Sequence, residues 1–177
     1  KSSDKFEESI EYAQLPFSEN SIIDTDGNVF NANGIVKKLN FSKNNDRYYM
    51  LYDDKGDILV KNFETLYRYG KSKNYKLVDS SRFKMPMYSI FSFKEYNAIS
   101  FINNNHSGIL NLYKKDDYTQ IIKTFNFKKN INYVFQLSKN TLLIGCRDGL
   151  FKLNISEGIY YRIDKEKTYN IRNIVKT

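Results

Sequence analysis

A pattern of two short apolar strands around a tight turn recurs along this sequence. The segment "LLIGCRDGLFKL" (residues 142–153) has two apolar runs on either side of a turn that ends at Gly149. The segment "ILVKNFETLYRY" (residues 58–69) aligns with it without a gap and has Thr65 at the position of Gly149. A chain that repeats such a unit is constrained to stack similar pieces of sheet.

The turn position recurs four times at nearly even spacing. Successive equivalents are separated by 38, 43 and 41 residues, at Gly27, Thr65, Gly108 and Gly149. A period near forty residues is typical of four-stranded propeller blades. A β-sandwich or a meander whose turns fall at even intervals is the alternative.

The predicted fold is all-β, with about four four-stranded antiparallel β-propeller blades that form part of a larger propeller. We place the blades at approximately residues 10–41, 47–79, 86–126 and 130–164, with the start of a fifth at 170–177. The apolar residues are mostly Ile, Leu, Phe and Tyr, and aromatic residues make up 16% of the chain. This composition favours strands over helices.

The chain carries a formal net charge of +8, from 28 Lys and Arg against 20 Asp and Glu. Such a balance favours anionic partners. The lysines are scattered along the chain, so an ordinary solvated basic surface is the other interpretation. No apolar run approaches the ~20 residues that span a bilayer, and a single cysteine excludes an internal disulfide.

Catalytic and metal chemistry find little support in the sequence. The chain has one histidine, His106, and one cysteine, Cys146, with no second ligand at a useful spacing. Two pairs of adjacent acids, at residues 53–54 and 116–117, could suggest a glycosidase, but both fall in expected hairpin turns. We therefore predict no catalytic residue, no metal and no cofactor.

The fourth repeat resembles the two-component-regulator propeller repeat. The resemblance rests on "NTLLIGC" (residues 140–146), the turn "DGL" (148–150) and "NIRNIV" (170–175), with Leu143 where the family has Trp. It implies the periplasmic ligand-sensing domain of a Bacteroides-type hybrid two-component sensor histidine kinase. It further implies a membrane-anchored, homodimeric parent that detects glycans and regulates polysaccharide-utilisation genes.

In a propeller, the turns between second and third strands share one face with the blade-to-blade connections. The predicted ligand-binding residues on that face are Arg147, Asp148, Asn105, His106, Phe63, Arg82, Lys128 and Tyr169. Cations outnumber anions there, which favours an acidic oligosaccharide. Arg147 would hold a carboxylate or sulfate, Asn105 would bond sugar hydroxyls, and Phe63 or Tyr169 would stack on a ring. Each could instead be an ordinary loop residue.

Two other functions compete with ligand sensing. A propeller can be a scaffold for protein partners, although the Gly-His and Trp-Asp pairs of WD-type repeats are missing here. A propeller can also carry a carbohydrate-active enzyme. We do not expect nucleic-acid binding, because it needs exposed aromatic and basic residues on one sheet face, and blades hide their faces against each other.

Overall fold

The structure is a computed structural model that describes residues 15–24, 26–39, 41, 49–103 and 105–163. These residues form sixteen strands and one 3-10 turn, and the strands make four antiparallel sheets of four. In each sheet the strands lie side by side in chain order. The predicted all-β arrangement of four-stranded antiparallel sheets is confirmed. Over the same ranges, no helix is long and apolar enough to cross a membrane.

The four sheets follow one another along the chain. Sheet 1 contains β1 (Leu15–Ser18), β2 (Ser21–Ile23), β3 (Asn28–Asn31) and β4 (Gly34–Lys38). Sheet 2 contains β5 (Tyr49–Tyr52), β6 (Ile58–Lys61), β7 (Thr65–Gly70), the 3-10 turn Lys71–Lys73 and β8 (Lys76–Arg82). Sheet 3 contains β9 (Met87–Ser92), β10 (Tyr96–Ile102), β11 (Gly108–Lys114) and β12 (Asp117–Phe127). Sheet 4 contains β13 (Ile131–Ser138), β14 (Thr141–Cys146), β15 (Gly149–Asn154) and β16 (Ile159–Arg162).

The chain divides between Arg82 and Phe83 into two compact units. The first unit holds sheets 1 and 2, whose shared core includes Ile23, Val29, Met50, Ile58, Val60 and Tyr69. The second unit holds sheets 3 and 4, whose shared core includes Leu110, Leu112, Val134, Leu142, Ile144 and Leu153. Within each unit, therefore, the two sheets bury apolar side chains against each other.

In sheets 2, 3 and 4, burial is greatest in the second strand and least in the fourth. Residues 58–60 of β6 and residues 96–101 of β10 are buried without interruption, so both faces of these strands are covered. Residues of the fourth strands alternate little between buried and exposed and are mostly exposed, as in β4 and β8. This gradient leaves the outer strands open to solvent.

The repeated turn position marks the start of the third strand in every sheet. Thr65, Gly108 and Gly149 are the first residues of β7, β11 and β15, and Gly27 directly precedes β3. A β-carbon at Gly108 would lie 2.6 Å from the carbonyl oxygen of Lys129, in the connection to sheet 4. Glycine is therefore required at this position, because the connection passes too close for any side chain.

Two lysines tie strands together in the second unit. The Nζ of Lys115, in the β11–β12 turn, donates to the carbonyl oxygen of Phe93 at 2.6 Å and to Oγ of Ser92 at 2.9 Å. The Nζ of Lys123, in β12, donates to the carbonyl oxygen of Ser156 at 2.8 Å and to that of Ile155. Lys123 thereby links sheet 3 to sheet 4.

Sheet 2 runs past the predicted end of its blade at residue 79. Strand β8 continues to Arg82, which lies opposite Thr65 of β7. Arg82 is therefore a strand residue, contrary to the expectation of a connection, because the ladder with β7 extends to the first residue of that strand. The predicted start of a fifth blade at 170–177 lies outside the described residues.

Candidate ligand-binding surface

One end of the second unit gathers two turns and the connection between its sheets. The connection packs on Gly108, which ends the β10–β11 turn. On its other side, the backbone N–H of Arg147, in the β14–β15 turn, donates to the carbonyl oxygen of Asn130 at 3.2 Å. The connection thus runs between the two turns. We define the connector surface as Asn105, His106, Lys128, Lys129, Asn130, Arg147 and Asp148.

The β10–β11 turn is held by its own side chains. Oδ1 of Asn105 accepts hydrogen bonds from the backbone N–H and the hydroxyl of Ser107, at 3.1 and 2.6 Å. His106 has a φ of 60°, and its N–H donates to the carbonyl oxygen of Asn103 at 2.9 Å. The amide oxygen of Asn105 is committed to the turn, so its amide NH2 group is the part suited to a ligand hydroxyl.

The connector surface is mainly cationic. Lys128, Lys129 and Arg147 are exposed, whereas Asp148 is half-buried. Three cations against one carboxylate favour an anionic group, and the carboxylate adds an acceptor for hydroxyls. Among the described residues, the buried Oδ1 of Asn130 has no hydrogen-bond donor, which leaves an acceptor that a water or a hydroxyl would satisfy.

A small pocket of about 90 Å³ opens beside the connection. It is lined by Phe127, Lys128, Lys129, Cys146, Asp148, Phe151 and Tyr160. A pocket of this volume has room for a small group such as a carboxylate or a sulfate. It is well below the 300–1,000 Å³ of a pocket that encloses a drug-sized ligand. A larger ligand would lie across the surface and insert one group.

Three aromatic side chains form the wall of this pocket. The rings of Phe127 and Tyr160 are stacked, with centroids 4.4 Å apart and planes inclined by 26°. Phe151 packs edge-on against both rings, at 6.1 and 5.8 Å. The hydroxyl of Tyr160 donates to the carbonyl oxygen of Asn126 at 2.9 Å, which fixes the ring. The wall is therefore pre-formed.

Sequence reasoning found the charged residues of the pocket but missed its aromatic wall. The signal was the run "FNFKKN" (residues 125–130), in which Phe127 directly precedes the two lysines. Phe151 and Tyr160 come from strands paired in one sheet. Their packing against Phe127 depends on how two sheets pack, which the repeat pattern does not specify.

Cys146 forms an apolar part of the pocket. The side chain is only 1% exposed, as expected from its place at the end of a strand. Burial, together with the charge of Asp148, raises the pKa of the Cys146 thiol to about 12. The thiol is therefore neutral at physiological pH, and it is not a nucleophile there.

The first unit carries two more of the predicted site residues. Phe63, in the β6–β7 turn, is 67% exposed. The turn is held by Asn62, whose Oδ1 accepts from the N–H groups of Glu64 and Thr65 at 3.2 and 2.7 Å. Nη2 of Arg82 lies 3.1 Å from Oε2 of Glu64, so Phe63 and Arg82 lie at the same end of sheet 2. Tyr169 lies outside the described residues.

One carboxylate of each acid pair accepts hydrogen bonds from nearby residues along the chain. Oδ1 of Asp53 accepts from the N–H groups of Lys55 and Asp57 at 2.9 and 2.8 Å. Oδ1 of Asp117 accepts from the hydroxyl and the N–H of Thr119 at 2.6 and 3.0 Å, and these bonds hold the pKa of its carboxyl below the ordinary value. Across the described ranges, no group of three His, Cys, Asp or Glu side chains could hold a metal ion.

No protein-family model matches the sequence, and no curated protein matches it. Solved structures resemble the fold. Virginiamycin B lyase from Staphylococcus aureus superposes with a TM-score of 0.60 at 12% identity, over 85% of this chain and 54% of that chain. BamB from Moraxella catarrhalis gives a TM-score of 0.58 at 13% identity, over 86% of this chain and 48% of that chain.

The extracellular domain of a putative hybrid two-component system from B. thetaiotaomicron also matches, with a TM-score of 0.46 at 13% identity, over 86% of this chain and 28% of that domain. A score this low carries no functional argument. The chain spans about half the length of the first two structures, which are β-propeller proteins. The four sheets are thus propeller blades, as predicted.

Proposed function

We propose that this chain is a non-catalytic, ligand-sensing propeller segment that binds an acidic oligosaccharide at the connector surface of the second unit. The observation that supports this proposal most is the pocket in which Lys128 and Lys129 lie beside an aromatic wall. Lysines supply charge for a carboxylate or sulfate, and the aromatic side chains give the pocket a rigid apolar wall.

The expected binding mode follows from the size and charge of the pocket. One acidic group of the saccharide enters between the two lysines, because only a small group fits. Arg147 contacts a second acidic group outside the pocket through its planar guanidinium. Asp148 and the amide of Asn105 bond to sugar hydroxyls. His106 shapes its turn and could contact the ligand from the same side.

The receptor context of the proposal comes from the sequence repeat. The resemblance to the two-component-regulator propeller repeat supports a periplasmic domain of a membrane-anchored hybrid sensor kinase that works as a homodimer. In such a receptor, ligand binding shifts the equilibrium between two arrangements of the dimer. Glycan sensing and control of polysaccharide-utilisation genes are part of this proposal.

Calorimetric titration tests the binding. We expect heat of binding with uronic-acid or sulfated oligosaccharides and little with neutral ones of the same length. Lys128→Gln should weaken binding about ten- to hundredfold, because a hydrogen bond to a charged group contributes about 1.5–3 kcal/mol. Lys139→Gln is the matched control, since it removes an exposed lysine from the β13–β14 turn at the other end of sheet 4 and should leave affinity unchanged. Equal effects of the two variants, or no heat with any saccharide, would reject the proposal.

The non-catalytic part of the proposal needs its own measurement. The bound saccharide should be recovered intact after prolonged incubation with the chain, as judged by chromatography. Shorter products that disappear when Asp148 is replaced by Asn would establish an enzyme instead.

A protein-binding scaffold is the second candidate, and Phe63 favours it. Phe63 is exposed at the same end of sheet 2 as Arg82, and both residue types are enriched at protein interfaces. If no saccharide binds, a partner captured by the wild-type chain and lost with Phe63→Ala would support the scaffold. Retention of that partner by the variant would argue against it.

A further inference from the structure

Three of the four sheets carry a row of side chains at the same place across their first three strands. The row ends at the third residue of the third strand, which is aromatic each time. It consists of Pro16, Ile22 and Phe30 in sheet 1, Met50, Val60 and Tyr67 in sheet 2, and Val134, Ile144 and Phe151 in sheet 4. Residues that lie opposite one another in neighbouring strands share a face of the sheet. We call each of these rows the packing row of its sheet.

In sheets 2 and 4 the packing row contacts the preceding sheet of the same unit. Met50 and Val60 are buried in the core that sheet 2 shares with sheet 1. Val134 and Ile144 are buried in the core that sheet 4 shares with sheet 3. The aromatic residue of each row packs against the same core. The packing row is therefore the surface through which a sheet packs on the sheet before it.

The packing row of sheet 1 lies on the face turned away from sheet 2. Ile23 and Val29, which belong to the core shared with sheet 2, are the neighbours of Ile22 and Phe30 along their strands, and successive residues of a strand point to opposite faces. Ile22 is 39% exposed, and Ile35, opposite Phe30 in β4, is 62% exposed. A groove of about 300 Å³ crosses this face, lined by the packing row, the β1–β2 turn and the end of β3. The row thus lies where a preceding sheet would pack.

Sheet 4 has a second open face. A row crosses its four strands on that side: Phe135, Leu143, Lys152 and Tyr161. Leu143 lies between Leu142 and Ile144, which are buried in the core shared with sheet 3, so the row lies on the face turned away from sheet 3. Tyr161 is 53% exposed and the other three residues are half-buried. A following sheet would place its packing row on this face.

We propose that the open face of sheet 1 binds the open face of sheet 4 in a second copy of the chain. The contact repeats the packing of sheet on sheet that each unit already contains. The chain spans about half the length of two β-propeller structures, so two copies supply about as many sheets as a whole propeller.

The charges of the two faces fit this pairing. Glu19 is the charged residue among those that line the groove, and Lys152 is the charged residue of the row on sheet 4. A contact between two copies of sheet 1 would instead bring Glu19 against Glu19. No residue of the connector surface lies in either row, so this inference does not depend on saccharide binding, and a monomer that binds saccharide would overturn only the inference.

Sedimentation equilibrium tests the association. The contact joins two different faces, so each face can be removed separately. The wild-type chain should associate at concentrations below about 100 µM. Ile22→Asp and Leu143→Asp should each weaken association more than about hundredfold, because a carboxylate buried in an apolar contact costs several kcal/mol. Ile122→Asp is the matched control: Ile122 on β12 is 52% exposed and lies in neither row, so association should stay within twofold.

Mixing the variants tests the pairing of sheet 1 with sheet 4. An equimolar mixture of Ile22→Asp and Leu143→Asp keeps one intact junction, so it should form a dimer that neither variant forms alone. Circular dichroism would verify that each variant folds, and Tyr161→Glu replaces Leu143→Asp if that variant unfolds. A monomeric wild-type chain, a folded sheet 4 variant that associates like the wild type, or a mixture that stays monomeric would overturn the proposal.

Discussion

The backbone of Gly108 touches the connection between two sheets, with the position of a β-carbon only 2.6 Å from the carbonyl oxygen of Lys129. Gly27 has the same relationship to the carbonyl oxygen of Leu39 after sheet 1. Both glycines occupy the repeated turn position. The spacing of that position in the sequence therefore indicates where the chain crosses from one sheet towards the next. The same crossing carries the lysines of the connector surface.

Gly108→Ala should destabilise the chain by about 2–3 kcal/mol, because the backbone on both sides must move. Urea unfolding measures this difference. Gly158→Ala is the control: its φ is 75°, but nothing lies within 4 Å of its β-carbon. The control should cost only about 1 kcal/mol for the left-handed backbone. Equal costs would mean that the connection has room to yield.

Lys123→Met should lower the free energy of unfolding by about 1–2 kcal/mol. The variant loses charge-assisted hydrogen bonds to the carbonyl groups of residues 155 and 156, while the aliphatic part of the side chain is retained. Lys139→Met removes an exposed lysine from a turn and should change stability by less than ~0.5 kcal/mol. A Lys123 variant as stable as the control would show that this link between sheets 3 and 4 contributes nothing.

The chain should lose stability between pH 9 and pH 12, partly through Cys146. The pKa of its thiol is about 12 in the folded chain against 9.0 as the ordinary value. A raised folded pKa favours folding below pH 9, and this contribution is lost as the pH rises towards 12.

At pH 10 the unfolded thiol is ionised and the folded one is not, which costs about 1 kcal/mol. Cys146→Ala should therefore show a smaller fall in unfolding free energy between pH 7 and pH 10, by that amount. The same fall in both proteins would contradict the raised pKa.

Arg147→Lys should weaken binding of a sulfated or uronic-acid oligosaccharide about three- to tenfold, although the charge is unchanged. Lysine cannot reproduce the two parallel hydrogen bonds of a guanidinium. Calorimetry measures this change in affinity. Lys139→Arg is the reciprocal control and should leave the affinity unchanged. If Arg147→Lys binds as well as the parent chain, only the charge at this position matters.

The best-predicted features are the positions at which the backbone conformation or close packing requires glycine. The repeat positions at Gly27, Gly108 and Gly149 identified the start of third strands, because close packing or a positive φ leaves few alternatives to glycine there. Strand β8 extends beyond the predicted blade end near residue 79, since Ser80 and Ser81 pair with Tyr67 and Leu66.

The candidate site was only half predictable. Charged residues of turns and connections can be assigned to one face from topology alone, as with Lys128, Arg147 and Asp148. The stacking of Phe127 on Tyr160 depends on side-chain packing between two sheets. The alternation of residues along a single strand does not predict that packing. A pocket is a property of that packing, and no residue pattern specifies it.

Chemical-shift mapping tests most directly whether the connector surface binds an acidic oligosaccharide. The isotope-labelled chain would be titrated with a sulfated oligosaccharide and with its neutral counterpart. We predict saturable shifts for the backbone amides of residues 128–130 and 146–149 with the sulfated form only. Shifts confined to other parts of the chain, or no shifts at saturating ligand, would contradict the proposed binding surface.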